Sequence, residues 1–187
     1  MQIYFCVTCG NIFTGMIQIR KAGFSDPALI ADMSRETFYD TFAEHNTKED
    51  MDKFLAEQFS KEYLMAQVLE PGNIFLLAYE NDQPAGYVFM KESLNEALDN
   101  KNVIEISRLY AGISFLGKGI GKALMNAAIA EARQLKKEYI WLGVWEHNQR
   151  AIEFYQKYGF EKFSEQDFIL GNDIQRDWLM KKAIINF

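Results

Sequence analysis

The sequence predicts a single α/β domain built on a mixed, mostly antiparallel central sheet of about seven strands with flanking helices. Three observations predict it. Two apolar runs within residues 73–91 flank the turn Asn81-Asp82-Gln83-Pro84, the pattern of an antiparallel hairpin. A strand–helix–strand succession over residues 103–145 requires a parallel crossover inside one sheet. Two further runs, 160–170 and 174–183, meet at Gly171-Asn172-Asp173 and form a closing strand pair.

In chain order, Met16-Ile17-Gln18-Ile19-Arg20 alternates as a strand does. Ser25-Asp26-Pro27 places an N-cap and an early proline ahead of a helix running to about Ala43. Thr47-Lys48-Glu49-Asp50 approximates a capping box for a second helix to Phe59, and Ser60 caps a short third helix that ends before Pro71-Gly72. Strands follow at 73–80, 85–91 and 103–111, then an Ala-rich helix at 119–136. A strand at 139–145 and a helix at 148–158 lead into the closing strand pair.

The 187 residues fit one ordinary domain, here 16–187. Residues 1–15 form an appendage ahead of Met16. Cys6 and Cys9 within it make one CxxC, half of a zinc knuckle, and no second cysteine pair exists to complete the four ligands, so no metal is expected. With two cysteines, no basic apolar leader and no apolar run of membrane-spanning length, the chain reads as cytoplasmic, without a membrane partner.

A net charge of −6 argues against a nucleic-acid binder. The charge is unevenly divided. Residues 1–100 carry seven basic against sixteen acidic side chains, and residues 101–187 carry thirteen against ten. A basic half suits an anionic ligand and an acidic half a cationic one, although a solvated surface explains the same split.

The clearest chemical feature is Gly117-Lys118-Gly119-Ile120-Gly121-Lys122, between a strand and a helix. Glycines let backbone approach a ligand closely, and the helix start offers free N–H groups and a positive dipole end, a seat for pyrophosphate. It is no Walker loop, because Ala123 stands where Ser or Thr is required. The second feature is Asn148-Gln149-Arg150-Ala151-Ile152-Glu153-Phe154-Tyr155-Gln156-Lys157-Tyr158-Gly159-Phe160. Tyr155 lies two turns beyond Asn148 on one helix face, about 10 Å along the axis. Capping by Asn148 and Gly159 also explains those two residues.

Together, the Gly-x-Gly-x-Gly turn and the Asn-x-x-Ala-x-x-Phe-Tyr-x-x-x-Gly-Phe helix resemble the GNAT superfamily of acetyl-CoA-dependent N-acetyltransferases. The closing Phe168-Ile169-Leu170-Gly171-Asn172-Asp173-Ile174-Gln175, with Asp177 and Met180 beyond it, is similar to the PaiA-like polyamine acetyltransferase branch. The resemblance implies that Leu109, Tyr110 and Ala111 pair with pantetheine through their backbone, one N–H polarising the thioester carbonyl. It implies that Gly117, Lys118, Gly119, Ile120, Gly121 and Lys122 hold the pyrophosphate, with Asn148 near the reactive arm and Lys157 near the phosphates. Tyr155 becomes the general acid for the departing thiolate. One departure is Leu116, which stands where the family carries Gln or Arg and implies rearranged phosphate contacts.

The attacking amine needs a base. Glu105, four residues before Leu109 and read as sharing its strand face, matches a glutamate that some family members use through water, and Ser107 is an alternative water carrier. No acyl-enzyme nucleophile is indicated, so direct attack in a ternary complex is expected. The acceptor is a small-molecule primary amine. Segment 26–70, with eleven acidic side chains (Asp40 among them) against four basic ones, favours a polyamine such as spermidine. Phe38, Tyr39 and Phe42 in it read as core. A protein N-terminus or lysine as acceptor, or a non-catalytic acyl-CoA-binding module, are the alternatives, and a homodimer is compatible with all of them.

Overall fold

The computed structural model describes residues 17–98 and 102–184. The appendage 1–15, with Cys6 and Cys9, lies outside them. Seven strands form one sheet in the order β1-β2-β3-β4-β5-β7-β6. The strands are β1 (Ile17–Lys21), β2 (Ile74–Glu80), β3 (Gln83–Lys91), β4 (Val103–Ala111), β5 (Tyr139–Trp145), β6 (Glu161–Leu170) and β7 (Asp173–Ala183). Only β4 and β5 run parallel; the other neighbouring pairs are antiparallel. The mixed, mostly antiparallel sheet read from the sequence is the one observed.

The helices are α1 (Pro27–Phe42), α2 (Lys48–Glu57), α3 (Lys61–Leu69), α4 (Ile120–Gln134) and α5 (Gln149–Lys157). α4 and α5 cover one face of the sheet, where Leu124, Met125 and Ile152 pack with Val88, Ile104 and Leu142. α1 covers the other face, where Ile30 packs with Phe75, Leu77, Tyr87 and Phe89. A strand covered on both faces reads as a continuous apolar run rather than an alternating one, which accounts for Phe75-Leu76-Leu77-Ala78 being buried throughout. A third cluster joins α1, α2 and α3 through Phe38, Met51, Phe54 and Leu64, and reaches Leu170 at the end of β6.

The local signals mostly act as their chemistry dictates. Thr47 and Ser60 accept hydrogen bonds from the N–H groups of Asp50 and Tyr63 and so cap α2 and α3. Asp26 precedes α1 without capping it. Its buried carboxylate instead takes a forked pair of 2.7 Å hydrogen bonds from Arg20 and one from the Gly23 N–H, and the Arg20 bond holds its pKa below the usual value. The β2–β3 turn is shorter than expected. Asn81 and Asp82 alone make it, with φ of 50° and 62°, while Gln83 and Pro84 already belong to β3. Tyr39, read as core, is 46% exposed, whereas Phe38 is 4% exposed.

Candidate active site

Two irregularities of β4 create the site. Its parallel pairing with β5 covers only Val103–Ile106 against Tyr139–Leu142. Beyond that, β4 stays bonded to β3 as far as Ala111, and β5 stays bonded to β7 as far as Trp145. The β5-facing edge of residues 107–111 is therefore left without a strand partner, and its peptide groups face an open cleft. Leu109, Tyr110 and Ala111 all line it.

The second irregularity is a bulge. Phe89 pairs with Arg108 and Met90 with Ile106, so Ser107 is an extra residue in β4. An extra residue inverts the alternation of side chains. Leu109, opposite Val88, packs toward α4, whereas Glu105, opposite Lys91, is on the other face. This corrects the expectation that Glu105 and Leu109 share a face. The Glu105 carboxylate lies 3.6 Å from Lys91 Nζ; Lys91 lines the cleft and Glu105 does not.

At the mouth of the cleft, Gly117 and Gly119 take φ of 80° and 91°, a region that side chains disfavour. Gly119 is the N-cap of α4 and supplies no capping side chain. The first helical bond runs from the Ala123 N–H to the Gly119 carbonyl, so the N–H groups of Ile120, Gly121 and Lys122 precede it. These residues line the cleft with Gly117 and Gly119. Lys118 does not: its ammonium pairs with Glu80 at 3.1 Å and lies over the Phe115 ring. Leu116, 44% exposed, is on the cleft wall.

α5 brings its residues to the same cavity. Asn148 caps the helix, its Oδ1 accepting from the Ala151 N–H at 3.1 Å, which leaves its Nδ2 without a hydrogen bond among the described residues. Tyr155 is buried between Phe154 and Phe160 on one side and opens to the cleft on the other. Burial pushes its phenol up to about 12. The Tyr158 hydroxyl donates to the Lys122 carbonyl at 3.3 Å and ties α5 to the first turn of α4. Lys157 is exposed and does not line the cleft, whereas Arg150, in the first turn of α5, does.

The inner half of the cleft, about 940 Å³ in all, is walled by Phe38, Phe42, Phe54, Phe59 and Phe168. Phe38 and Phe54 thus serve as core and wall at once. Of the acidic residues of segment 26–70, Asp40 alone reaches the lining; Asp26, Asp32 and Asp52 are held by Arg20, Lys61 and Lys48. Two charged residues without a role in the sequence reading stand here. Arg108 lies over the Phe89 ring at 4.7 Å, bonds to Gln67, and has one buried nitrogen without a hydrogen bond among the described residues. Asp177, on β7 directly opposite Trp145, lines the cleft beside it. Desolvation raises its pKa to about 6. An aspartate and a glycine, Gly143, inside adjacent strands were the available signal, since both types are depleted there.

Among the described residues, no three His, Cys, Asp or Glu side chains gather as a metal ion requires, and no helix is long and apolar enough to cross a membrane.

A model of the acetyltransferase (GNAT) family matches residues 30–160. The chain is 42% identical over 174 residues to an uncharacterized N-acetyltransferase in the pepI 3′ region of Lactobacillus delbrueckii subsp. lactis, covering 92% of this chain and 99% of that protein. It is 28% identical over 162 residues to the spermidine N(1)-acetyltransferase of Thermoplasma acidophilum, covering 82% and 95% respectively. The crystal structure of the PaiA N-acetyltransferase from Thermoplasma acidophilum, in complex with coenzyme A, matches with a TM-score of 0.72 at 25% identity, over 90% of this chain and 99% of that one.

Proposed function

The chain belongs to the acetyltransferase (GNAT) family, as a PaiA-like, acetyl-CoA-dependent N-acetyltransferase, and from that premise we propose that it acetylates the primary amine of a polyamine such as spermidine by direct attack in a ternary complex. The observation that carries the reading is the open edge of β4 beside the bare first turn of α4, with Asn148 and Tyr155 lining the same cleft.

The residues present fit acetyl-CoA. The unpaired edge at Leu109–Ala111 offers a pantetheine arm backbone partners, and one N–H there would polarise the thioester carbonyl. The N–H groups of Ile120, Gly121 and Lys122 form an anion seat without side-chain obstruction at Gly117 and Gly119. Lys122 and Arg150 would add the cationic charge that Leu116 cannot, in place of Lys118 and Lys157, which lie off the lining. The bound cosubstrate supplies the acetyl group as a thioester. Asn148 would direct its free Nδ2 toward the reactive arm.

Tyr155 would protonate the sulfur as the C–S bond breaks. Its desolvation keeps the phenol protonated across the physiological range. The same dry surroundings raise the proton affinity of a thiolate, so the donor stays matched to its acceptor.

The polyamine assignment is supported by the spermidine N(1)-acetyltransferase among the relatives and by the carboxylates of Asp40 and Asp177 in the inner cleft. The test is release of free thiol from acetyl-CoA with spermidine, spermine, an N-terminal peptide and a lysine peptide as acceptors. Turnover of spermidine is the expected result. Turnover of a peptide alone moves the acceptor class to protein, and acetyl-CoA binding without any turnover makes the chain a binding module.

A further inference from the structure

We propose that Asp177 receives the acceptor's ammonium group on the cleft floor and takes its proton, the role for which the family resemblance offers Glu105, with Ser107 as its alternative. The inference rests on the N-acetyltransferase reading above and deepens it.

Four observations converge. Asp177 is on the face of the sheet that carries the inner cleft, directly across the β5–β7 ladder from Trp145, so a carboxylate and an indole stand side by side, a pairing suited to an alkylammonium. Its Oδ2 lies over Gly143, an exposed mid-strand glycine whose missing side chain leaves the carboxylate open to the cavity. It makes no hydrogen bond or ion pair with any described residue, unlike Glu105, which lies 3.6 Å from the Lys91 ammonium. Finally, Asp177, Tyr110 and Tyr155 line one and the same cleft, which puts the carboxylate and the proposed acid on a shared cavity.

The groups facing Asp177 leave its charge uncompensated. β5 presents Gly143, β6 the neutral amide of Gln166, and β4 the Tyr110 phenol, which burial keeps protonated. Asp40 and Arg108, of opposite sign, line the same cleft, and His45 lies against the Trp145 ring at 5.2 Å; none of the three makes a hydrogen bond or ion pair with Asp177. A desolvated carboxylate is a stronger base than a solvated one, and burial raises the pKa of Asp177 to about 6. In such surroundings proton transfer from an alkylammonium to the carboxylate is less uphill than in water, because the ion pair loses hydration that the neutral pair does not need.

The protons balance. The ammonium gives one proton to the carboxylate, and the freed lone pair forms the N–C bond as the C–S bond breaks. Tyr155 gives its proton to sulfur and regains one from the acylated nitrogen, which then keeps a single hydrogen. Asp177 returns its proton to water, so each turnover releases one.

The experiment measures kcat/KM for spermidine by thiol release between pH 5 and 9, for the full chain and for Asp177→Asn, alongside acetyl-CoA affinity by calorimetry. The wild type should lose activity below an apparent pKa near 6. Asp177→Asn should lose about 100-fold or more in kcat/KM and show no such limb, with acetyl-CoA affinity within threefold of wild type as evidence that it folds. A variant that keeps kcat/KM within threefold, or keeps the limb, overturns the proposal. So does a wild type flat from pH 5 to 8, a measurement that needs no variant to fold. A wild type that turns over no amine overturns the functional reading itself and this inference with it.

Discussion

The Oδ2 of Asp177 lies 3.3 Å from the point at which a β-carbon on Gly143 would stand. A methyl group there would crowd the carboxylate and occupy the floor space from which an ammonium approaches it. Gly143→Ala is therefore expected to fold, since the glycine is exposed and free of any positive-φ requirement. It should lower kcat/KM for the amine by roughly 10-fold or more while leaving acetyl-CoA affinity unchanged, because a misplacement near the reacting group costs on that order. The check is steady-state kinetics with each substrate varied in turn; equal loss for both substrates would place Gly143 outside the acceptor site.

The same carboxylate carries a stability cost with a definite pH signature. Its folded-state pKa is raised from 3.8 to about 6, so the native chain binds more protons than the unfolded one between those values. Stability is lost as pH rises through that window. Asp177→Asn should be more stable than wild type at pH 7.5 by about 1–2 kcal/mol, after discounting for the group's partial solvation. That is roughly 2–6 °C in Tm for a domain of this size. Below about pH 4 the two proteins should converge, because both side chains are then neutral. Thermal unfolding at pH 3.5 and 7.5 measures the difference, and a less stable Asn variant at pH 7.5 would reveal a structural partner for Asp177.

The proposed phosphate seat is best probed at Gly121. Gly119 has φ of 91°, so any substitution there strains the backbone as well as the site. Gly121 sits within α4, where a β-carbon would make an ordinary 3.8 Å contact with Phe154. Gly121→Asp places a carboxylate in the first helical turn, which suits the helix dipole and should leave the free protein as stable as wild type. The same charge opposes phosphate. The thermal shift given by acetyl-CoA should therefore vanish, since that shift follows RT ln(1 + [L]/Kd). Undiminished affinity in this variant would falsify the assignment of the loop.

The element order was legible in the sequence because each element carries its own signal: caps at Thr47 and Ser60, helical periodicity in α4 and α5, and turn residues at Asn81-Asp82 and Gly171-Asn172. That the glycine loop and the α5 motif meet at one cleft was legible for the same reason, since each is a contiguous motif. The rest of the lining was not, because Asp177, Gly143, Arg108 and the phenylalanine wall come from separate elements and meet only through tertiary packing. The β4 bulge shows how a local signal can be missed. Its apolar residues run Ile104 and Ile106, then Leu109 and Ala111, all in the α4-side cluster. That change from even to odd positions marks an inserted residue at Ser107, and strict alternation read across it puts Glu105 on the wrong face. The acidic bias of segment 26–70 is a coarser signal: most of those carboxylates lie away from the cleft lining, and net charge does not say which of them reach it.

Tyr155 offers the sharpest test of the chemistry. Its ring is held by Phe154 and Phe160, while its hydroxyl makes no hydrogen bond with any described residue. Tyr155→Phe therefore removes a proton donor without leaving a buried partner unsatisfied, and stability should change little. A thiol leaving group with a reference pKa near 8.5 departs tolerably without help, so the loss should lie toward the lower end of the range for general acids, about 10²–10³-fold in kcat. Acetyl-CoA affinity should stay within a few-fold, the pattern of an interaction made mainly in the transition state. Burial of the phenol also fixes the pH behaviour. With its pKa pushed up to about 12, deprotonation of Tyr155 should produce no alkaline decline in kcat below pH 10. A decline near pH 8–9 that disappears in Tyr155→Phe would mean that the phenol is far more acidic than its surroundings dictate. Near-normal kcat in the Phe variant, with the chemical step shown to be rate-limiting by single-turnover kinetics, would leave water as the acid and Tyr155 as a wall of the cleft.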